Sequence, residues 1–375
     1  MDAIFHRTIL AARLANQVLN TAATSASSSG LFLAAPRRTG KTTFMRADLM
    51  PALRVLGARV IYVDLWADPK ADPGNVIVTA IRTQLAQNAS ALAKIAKSLG
   101  VVGANLAGID FSLAHIGLGK NISLAQALAV LSDEINVPIV LIIDEAQQAI
   151  TTQMGSDAMF SLKAARDELN LAHAGLRIVC TGSNRDKLAM LRASKEQAFF
   201  GAPLIDFPML GDDYVAWFCD TTDDLPAPLQ PALVAPLFKR AGNRPEILDA
   251  AADQLRFDFD LVAQDVDRRF TESVEEQIAR SNIELRKIVR NLPPMQSAIL
   301  RVLADAGEQY APFVAETMEQ YRAAYRAAGE TLGSEDFSTA NVQQNLLALQ
   351  EKGLVWRASR GVYALEDHNL KDNLT

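Results

Sequence analysis

The chain is poor in the features that staple or anchor a protein. Of its 375 residues only two are cysteine, Cys180 and Cys219, too few for a disulfide framework or a cysteine-based zinc site. Its apolar runs, such as Val137 to Ile143, are far short of the roughly 20 residues that span a bilayer, so no membrane partner is expected. An excess of positive charge is missing too: 37 Lys and Arg stand against 43 Asp and Glu, a net charge of −6. A protein whose whole surface coats nucleic acid is normally basic, so any such contact has to be local. With 49% apolar and 21% charged residues, the composition excludes wholesale disorder. At roughly 150 residues per domain the length corresponds to two or three domains, enough for a large core. The chain reads as soluble and cytoplasmic.

The N-terminal stretch MDAIFHRTILAARLANQVLN carries Arg7 and Arg13 among apolar residues at helical spacing, and a Ser-rich stretch follows from Thr24 to Ser29. A transit peptide has a superficially similar look, but an amphipathic helix followed by a polar loop accounts for it better. From residue 31 onward, short apolar runs alternate with helical patterns, the signature of a parallel sheet with crossover helices. The runs are Leu31–Ala35, Arg59–Leu65, Val137–Ile143, Leu176–Thr181 and Pro203–Leu210. Helices are predicted over 41–54, 74–97, 122–136, 157–174 and 184–195. Between Gly100 and Gly119 the alternating string IDFSLAHIG predicts a small β-hairpin insertion. The pattern is helical from Asp212 to Val289, and Asn291-Leu-Pro-Pro294 reads as a linker. The expected division is 1–211, 212–290 and 291–375.

Residues 31–46 read LFLAAPRRTGKTTFMR. Within them Ala35, Pro36, Arg37, Arg38, Thr39, Gly40, Lys41 and Thr42 spell a phosphate-binding loop, with alanine at the first glycine place. Gly40 lets the backbone turn tightly against a phosphate. The loop amides and the N-terminus of the following helix face the anion. Lys41 is expected to reach the β and γ phosphates of ATP, the Thr42 hydroxyl to ligate Mg²⁺, and Thr43 to add a phosphate contact.

Residues 139–145, IVLIIDE, place Asp144 and Glu145 at the C-terminal edge of a buried strand, where open α/β sheets bind ligands. Asp144 is the expected Mg²⁺ holder and Glu145 the base that polarises the attacking water. The next strand, LRIVCTGSN, ends in Thr181, Ser183 and Asn184, placed to sense a γ-phosphate. Ser and Asn are also ordinary turn and N-cap residues.

The strings APRRTGKTTF, IVLIIDEAQ, IVCTGSN and AGNRPEIL together resemble the AAA+/STAND superfamily of P-loop ATPases, in particular the archaeal-type ATPase group with a C-terminal winged helix. The resemblance implies an α/β fold: a parallel P-loop NTPase sheet, a helical lid and a C-terminal winged-helix domain. Its sensing strand sits between the phosphate-loop strand and the acidic strand. It also implies a Mg²⁺-dependent ATPase acting as a conformational or assembly switch, with a homo-oligomer or a protein as partner. In the lid, Arg244 stands where such proteins carry a second sensor, with Gly242 and Pro245 shaping the pocket. A helix C-cap followed by a new helix start explains the same glycine and proline. Phe5, His6 and Arg7 are candidates to border the adenine, with surface decoration as the alternative for His6 and Arg7. One departure stands out: Phe199-Phe200-Gly201-Ala202 lacks the arginine that relatives often place before the fifth strand. An arginine finger contributes roughly 10³–10⁵ in rate. Its absence implies slow intrinsic turnover or a finger supplied from elsewhere, with Arg185 and Arg192 nearby. Arg37 and Arg38 are further charges available to a partner or a phosphate.

In the last segment, Ser338 or Thr339 can cap a helix whose Val342, Leu346, Leu347 and Leu349 form an apolar side, and Gly353 ends it. LVWRA and GVYAL, separated by a turn near Ser359 to Gly361, predict a hairpin, and Met295–Ala304 an earlier helix. Such a winged helix often reads DNA. From residue 291 onward, however, seven Lys and Arg face eleven Asp and Glu, a net charge of −4. Phosphate neutralisation dominates DNA affinity, so an acidic module is a poor generic binder. Gln343, Gln344 and Asn345 could read base edges while Arg357 and Arg360 grip phosphate, but a polar helix face explains the same residues. Arg286, Lys287 and Arg290 form a second basic stretch. Two readings compete with the ATPase switch: a nucleotide-gated scaffold with negligible turnover, and a DNA-binding regulator controlled by ATP.

Overall fold

The computed structural model describes residues 4–20, 25–98, 122–183, 185–192, 197–331, 333, 337–359, 361–366, 370–371 and 374. They fall into two compact units, one of His6–Ala34 with Thr42–Phe207, the other of Met1–Phe5, Ala35–Lys41 and Pro208–Thr375.

The first unit is built on β1 (Leu31–Ala34), β2 (Arg59–Asp64), β3 (Ile139–Asp144), β4 (Leu176–Gly182) and β5 (Leu204–Asp206). Among the described residues they form one sheet in the order β2-β3-β4-β1-β5, and every neighbouring pair is parallel. Strand β4, expected to carry the sensing residues, thus lies between β1 and β3, as the resemblance implies. Strand β3 buries all of its residues, the expected outcome when Val, Ile and Leu occupy both faces of a parallel strand. The register sets Asp64 opposite Asp144, Ile143 opposite Cys180 and Ala34 opposite Gly182, so the polar ends of β1, β3 and β4 meet at one edge.

Helices of this unit are α1 (Thr8–Leu19), α2 (Lys41–Phe44), α3 (Met50–Val55), α4 (Pro73–Ala86), α5 (Ala89–Ser98), α6 (Leu124–Ile135), α7 (Gln153–Ala172) and α8 (Arg185–Ala189). A π-helical turn, Met45–Leu49, joins α2 to α3. Local chemistry sets the boundaries. The Asp72 carboxylate accepts from the Gly74 amide ahead of α4, and Pro73 takes the first turn. Ser123 and Gln126 form a capping box on α6, which ends at left-handed Asn136. The helix predicted over 74–97 is broken before α5, where the Asn88 side chain caps the new start through the Ala91 amide at 3.0 Å. The fifth strand and the helix after β4 are both shorter than their patterns predict. The hairpin expected at Gly100–Gly119 lies outside the described residues.

In the second unit, α9 (Asp212–Thr221), α10 (Pro231–Arg240), α11 (Pro245–Arg256) and α12 (Val266–Arg290) enclose a core that includes Tyr214, Phe218, Phe238, Leu248 and Phe270. A separate core, with Ile299, Leu303, Tyr321, Leu346 and Tyr363, holds α13 (Pro294–Ala306), α14 (Ala315–Ala327), α15 (Thr339–Glu351), β6 (Val355–Ser359) and β7 (Val362–Leu365). Three helices followed by an antiparallel hairpin are the elements of a winged helix. Two details differ from expectation. Pro294 is not linker but the first residue of α13, a position that needs no amide donor. Leu347 is 39% exposed, because its place on α15 falls outside the stripe formed by Val342, Leu346 and Leu349. Ser338 caps α15 as expected, accepting from the Asn341 amide. Among the described residues, no helix is long and apolar enough to cross a membrane.

Leu141 sits fully buried at the centre of β3. Leu141→Ala is expected to cost about 2–5 kcal/mol, whereas Ile205→Ala on the exposed edge strand stays below about 1 kcal/mol. Urea unfolding of the two variants checks the difference.

Candidate active site

The loop that leaves β1 reverses direction through two left-handed residues, Arg38 at φ 65° and Gly40 at φ 81°. Glycine adopts that region freely, whereas arginine there carries strain. The Thr39 hydroxyl donates to the Pro36 carbonyl at 2.8 Å and closes the turn. Ala35, Thr39 and Lys41 are buried, while Arg37, Arg38, Thr42 and Thr43 are exposed. Arg37 pairs with Glu366 at 3.6 Å, and Arg38 lies 3.9 Å from Glu246.

At the sheet edge Asp144 is only 1% exposed. The Thr42 hydroxyl donates to its Oδ2 at 2.7 Å and the Tyr62 phenol to the same oxygen at 3.0 Å. Oδ1 accepts from the Thr181 hydroxyl and from the Glu145 amide. Two motifs 102 residues apart in sequence are thereby brought into direct contact. Burial, followed by the charge of Asp144, raises the Tyr62 pKa well above the ordinary phenol value and keeps the hydroxyl a donor.

Glu145 follows at φ 52°, a left-handed conformation that turns the chain sharply after β3. Its Oε2 accepts from the Ser183 hydroxyl at 2.8 Å, the Ser183 amide at 3.3 Å and the Gln147 side-chain amide at 2.5 Å. Gly182 makes room for this arrangement: a Cβ there would stand 2.6 Å from Gln147 Oε1. The ends of β3 and β4 are thus coupled through side chains as well as through the ladder. Asn184, expected beside Ser183, lies outside the described residues.

Arg244 precedes α11, with Pro245 in its first turn. Its guanidinium donates to the Ala241 carbonyl at 3.0 Å, across a turn in which Gly242 and Asn243 are left-handed. Asn243 donates to the Leu210 carbonyl at 2.7 Å. Burial raises the pKa of Glu246, the acidic residue in the same helical turn.

His6 is exposed and Arg7 half-buried, and both are engaged by neighbouring side chains. His6 Nδ1 lies 2.7 Å from Asp48 Oδ1, the Arg7 amide donates to Asp48 Oδ2 at 3.0 Å, and the Arg7 guanidinium sits 5.1 Å from the Phe207 ring centre. Phe5 packs edge-on against Tyr214 with ring centres 5.5 Å apart. Arg185 is engaged by Asp206 at 2.6 Å.

Sequence reasoning passed over Tyr62 and Gln147. Tyr62 is the one polar-tipped side chain in the run VIYV, a visible signal, and Gln147 stands two residues after Glu145.

No protein-family model matches the chain, and no curated protein matches it. Among solved structures it is similar to the Walker-type ATPase PABY2304 of Pyrococcus abyssi, at 16% identity and a TM-score of 0.53, over 99% of this chain and 96% of that one. A similarity to the Orc1 protein of Aeropyrum pernix, solved in complex with DNA, has 19% identity over 100% of this chain and 93% of that one. Its TM-score of 0.43 is too low to carry weight. Sheet order and the match to PABY2304 over nearly the whole of both chains agree on the fold: a parallel, five-stranded α/β sheet like that of this Walker-type ATPase.

Proposed function

We propose that the chain is a Mg²⁺-dependent ATPase whose nucleotide state drives a conformational or assembly switch. The observation that carries this reading is the hydrogen bond from Thr42, at the end of the phosphate-loop motif, to the buried carboxylate of Asp144. A hydroxyl beside a carboxylate is a hard oxygen pair that suits cations such as Mg²⁺ rather than thiolate-seeking metals. Thr42 and Asp144 would hold the ion, which would neutralise charge on the phosphates. Lys41 and the amides from Ala35 to Gly40 bind the phosphates, with Thr43 adding a contact. Glu145 takes the proton of the attacking water. Ser183 and Asn184 sense the γ-phosphate, and Arg244, with Pro245 behind it, is the second sensor. The chain works in the cytoplasm.

A second reading, a nucleotide-gated switch with very slow turnover, is favoured by a specific feature. One of the two Glu145 oxygens, Oε2, already accepts from Ser183 and Gln147, which ties down the carboxylate that would act on water. The missing arginine at Phe199–Ala202 points the same way. We further propose that the C-terminal unit docks protein rather than DNA. Residues 291–375 carry a net charge of −4, and Asn345, a candidate base reader, is tied to the Asn341 carbonyl at 2.8 Å.

Lys41→Ala is expected to abolish tight ATP binding, and retained affinity in a titration sinks the assignment. Glu145→Gln is expected to bind ATP normally while turnover falls by about 10²–10⁴; unchanged phosphate release removes Glu145 from the role. Turnover per protomer measured over a wide protein concentration range separates the two readings. A rising value supports an assembly whose neighbours complete the site, and a flat, slow value supports the self-contained switch.

A further inference from the structure

Asp144 is met by a donor that none of the sequence motifs contains. On the ATPase reading above, we propose that Tyr62 is a positioning residue for the metal-facing carboxylate: its phenol fixes the plane of Asp144 and so sets the affinity of the site for Mg²⁺.

The register explains why a tyrosine serves here. Asp64, not Tyr62, lies directly opposite Asp144 on the neighbouring parallel strand. Tyr62 stands two residues back on the same face, about 6.6 Å along the strand. A serine or threonine at that place is too short, whereas a phenol spans the gap, and its oxygen arrives 3.0 Å from Asp144 Oδ2. A residue needed only for the core of β2 would be apolar, like its neighbours Val60, Ile61 and Val63, since a part-buried hydroxyl costs free energy unless it finds a partner. The Arg46 guanidinium lies over the ring, 5.5 Å from its centroid.

The two donors to Oδ2 are not equivalent. Thr42 belongs to the motif that turns its own oxygen toward the cation. Tyr62 comes from β2, outside the phosphate-loop motif, and holds the carboxylate from a separate strand. Groups that orient a metal ligand from behind typically contribute 10–100-fold in metal affinity.

The test is Tyr62→Phe in the full chain, which keeps the ring over Arg46 and deletes one hydrogen bond. Binding of the non-hydrolysable analogue AMPPNP is followed by calorimetry over a Mg²⁺ titration and again in EDTA, beside the melting temperature of the free protein. The expected result is a half-saturating Mg²⁺ concentration raised about 10-fold, with affinity in EDTA and melting both unchanged. An unchanged Mg²⁺ dependence overturns the proposal. So does a variant that melts well below the wild type or loses affinity in EDTA, because the phenol then supports the fold rather than the metal. A wild type showing no Mg²⁺-dependent binding of AMPPNP instead overturns the ATPase reading itself, an outcome visible before any variant is made.

Discussion

A carboxylate withdrawn from water has to be met by donors, and much of this molecule is arranged around meeting one. Asp144 carries a carboxyl group that is almost wholly buried at the end of an apolar strand. Leaving such a group unsatisfied costs several kcal/mol. Its donors come from α2, β2, β4 and the residue that follows it. Each can reach only if the strands keep their order and register, because a slip of one residue turns a strand's side chains to the other face. The apolar sheet core supplies the stability, and the polar cluster at its edge supplies the reason for one alignment over its neighbours.

That division explains what could be read in advance. The strands β1 to β4 were legible because fully buried parallel strands are continuous runs of Val, Ile and Leu, as in residues 139–143. The loop at residues 35–42 and the pair Asp144–Glu145 were legible because their chemistry demands fixed residue types at fixed spacing. Tyr62 was not, since its role depends on which strand lies beside β3, and adjacency is not written in any local window. The same holds for His6 and Arg7, whose partner Asp48 is some 40 residues away. The break between α4 and α5 escaped because Asn88 interrupts an otherwise continuous apolar stripe with a single capping side chain. Leu347 shows the limit of composition: it is apolar, but its angular place on α15 faces solvent.

The two carboxylates at the end of β3 are handled in contrasting ways. Asp144 is buried and clamped through both oxygens. Glu145 is set apart by its left-handed backbone and linked through one oxygen to β4 and to Gln147. Both therefore reach the end of β4, Asp144 through Thr181 and Glu145 through Ser183, but only Asp144 is also tied to α2 and β2. Gly182 is part of this device, since any larger residue would displace Gln147.

Strand β5 is only three residues long and forms one edge of the sheet among the described residues. A strand so short presents too few open amides and carbonyls to template another chain, and a charged Asp206 closes it. The brevity that makes β5 a weak member of the sheet therefore also protects the molecule: at this edge a crowded solution finds no ladder to extend, and strand-by-strand aggregation has nowhere to begin.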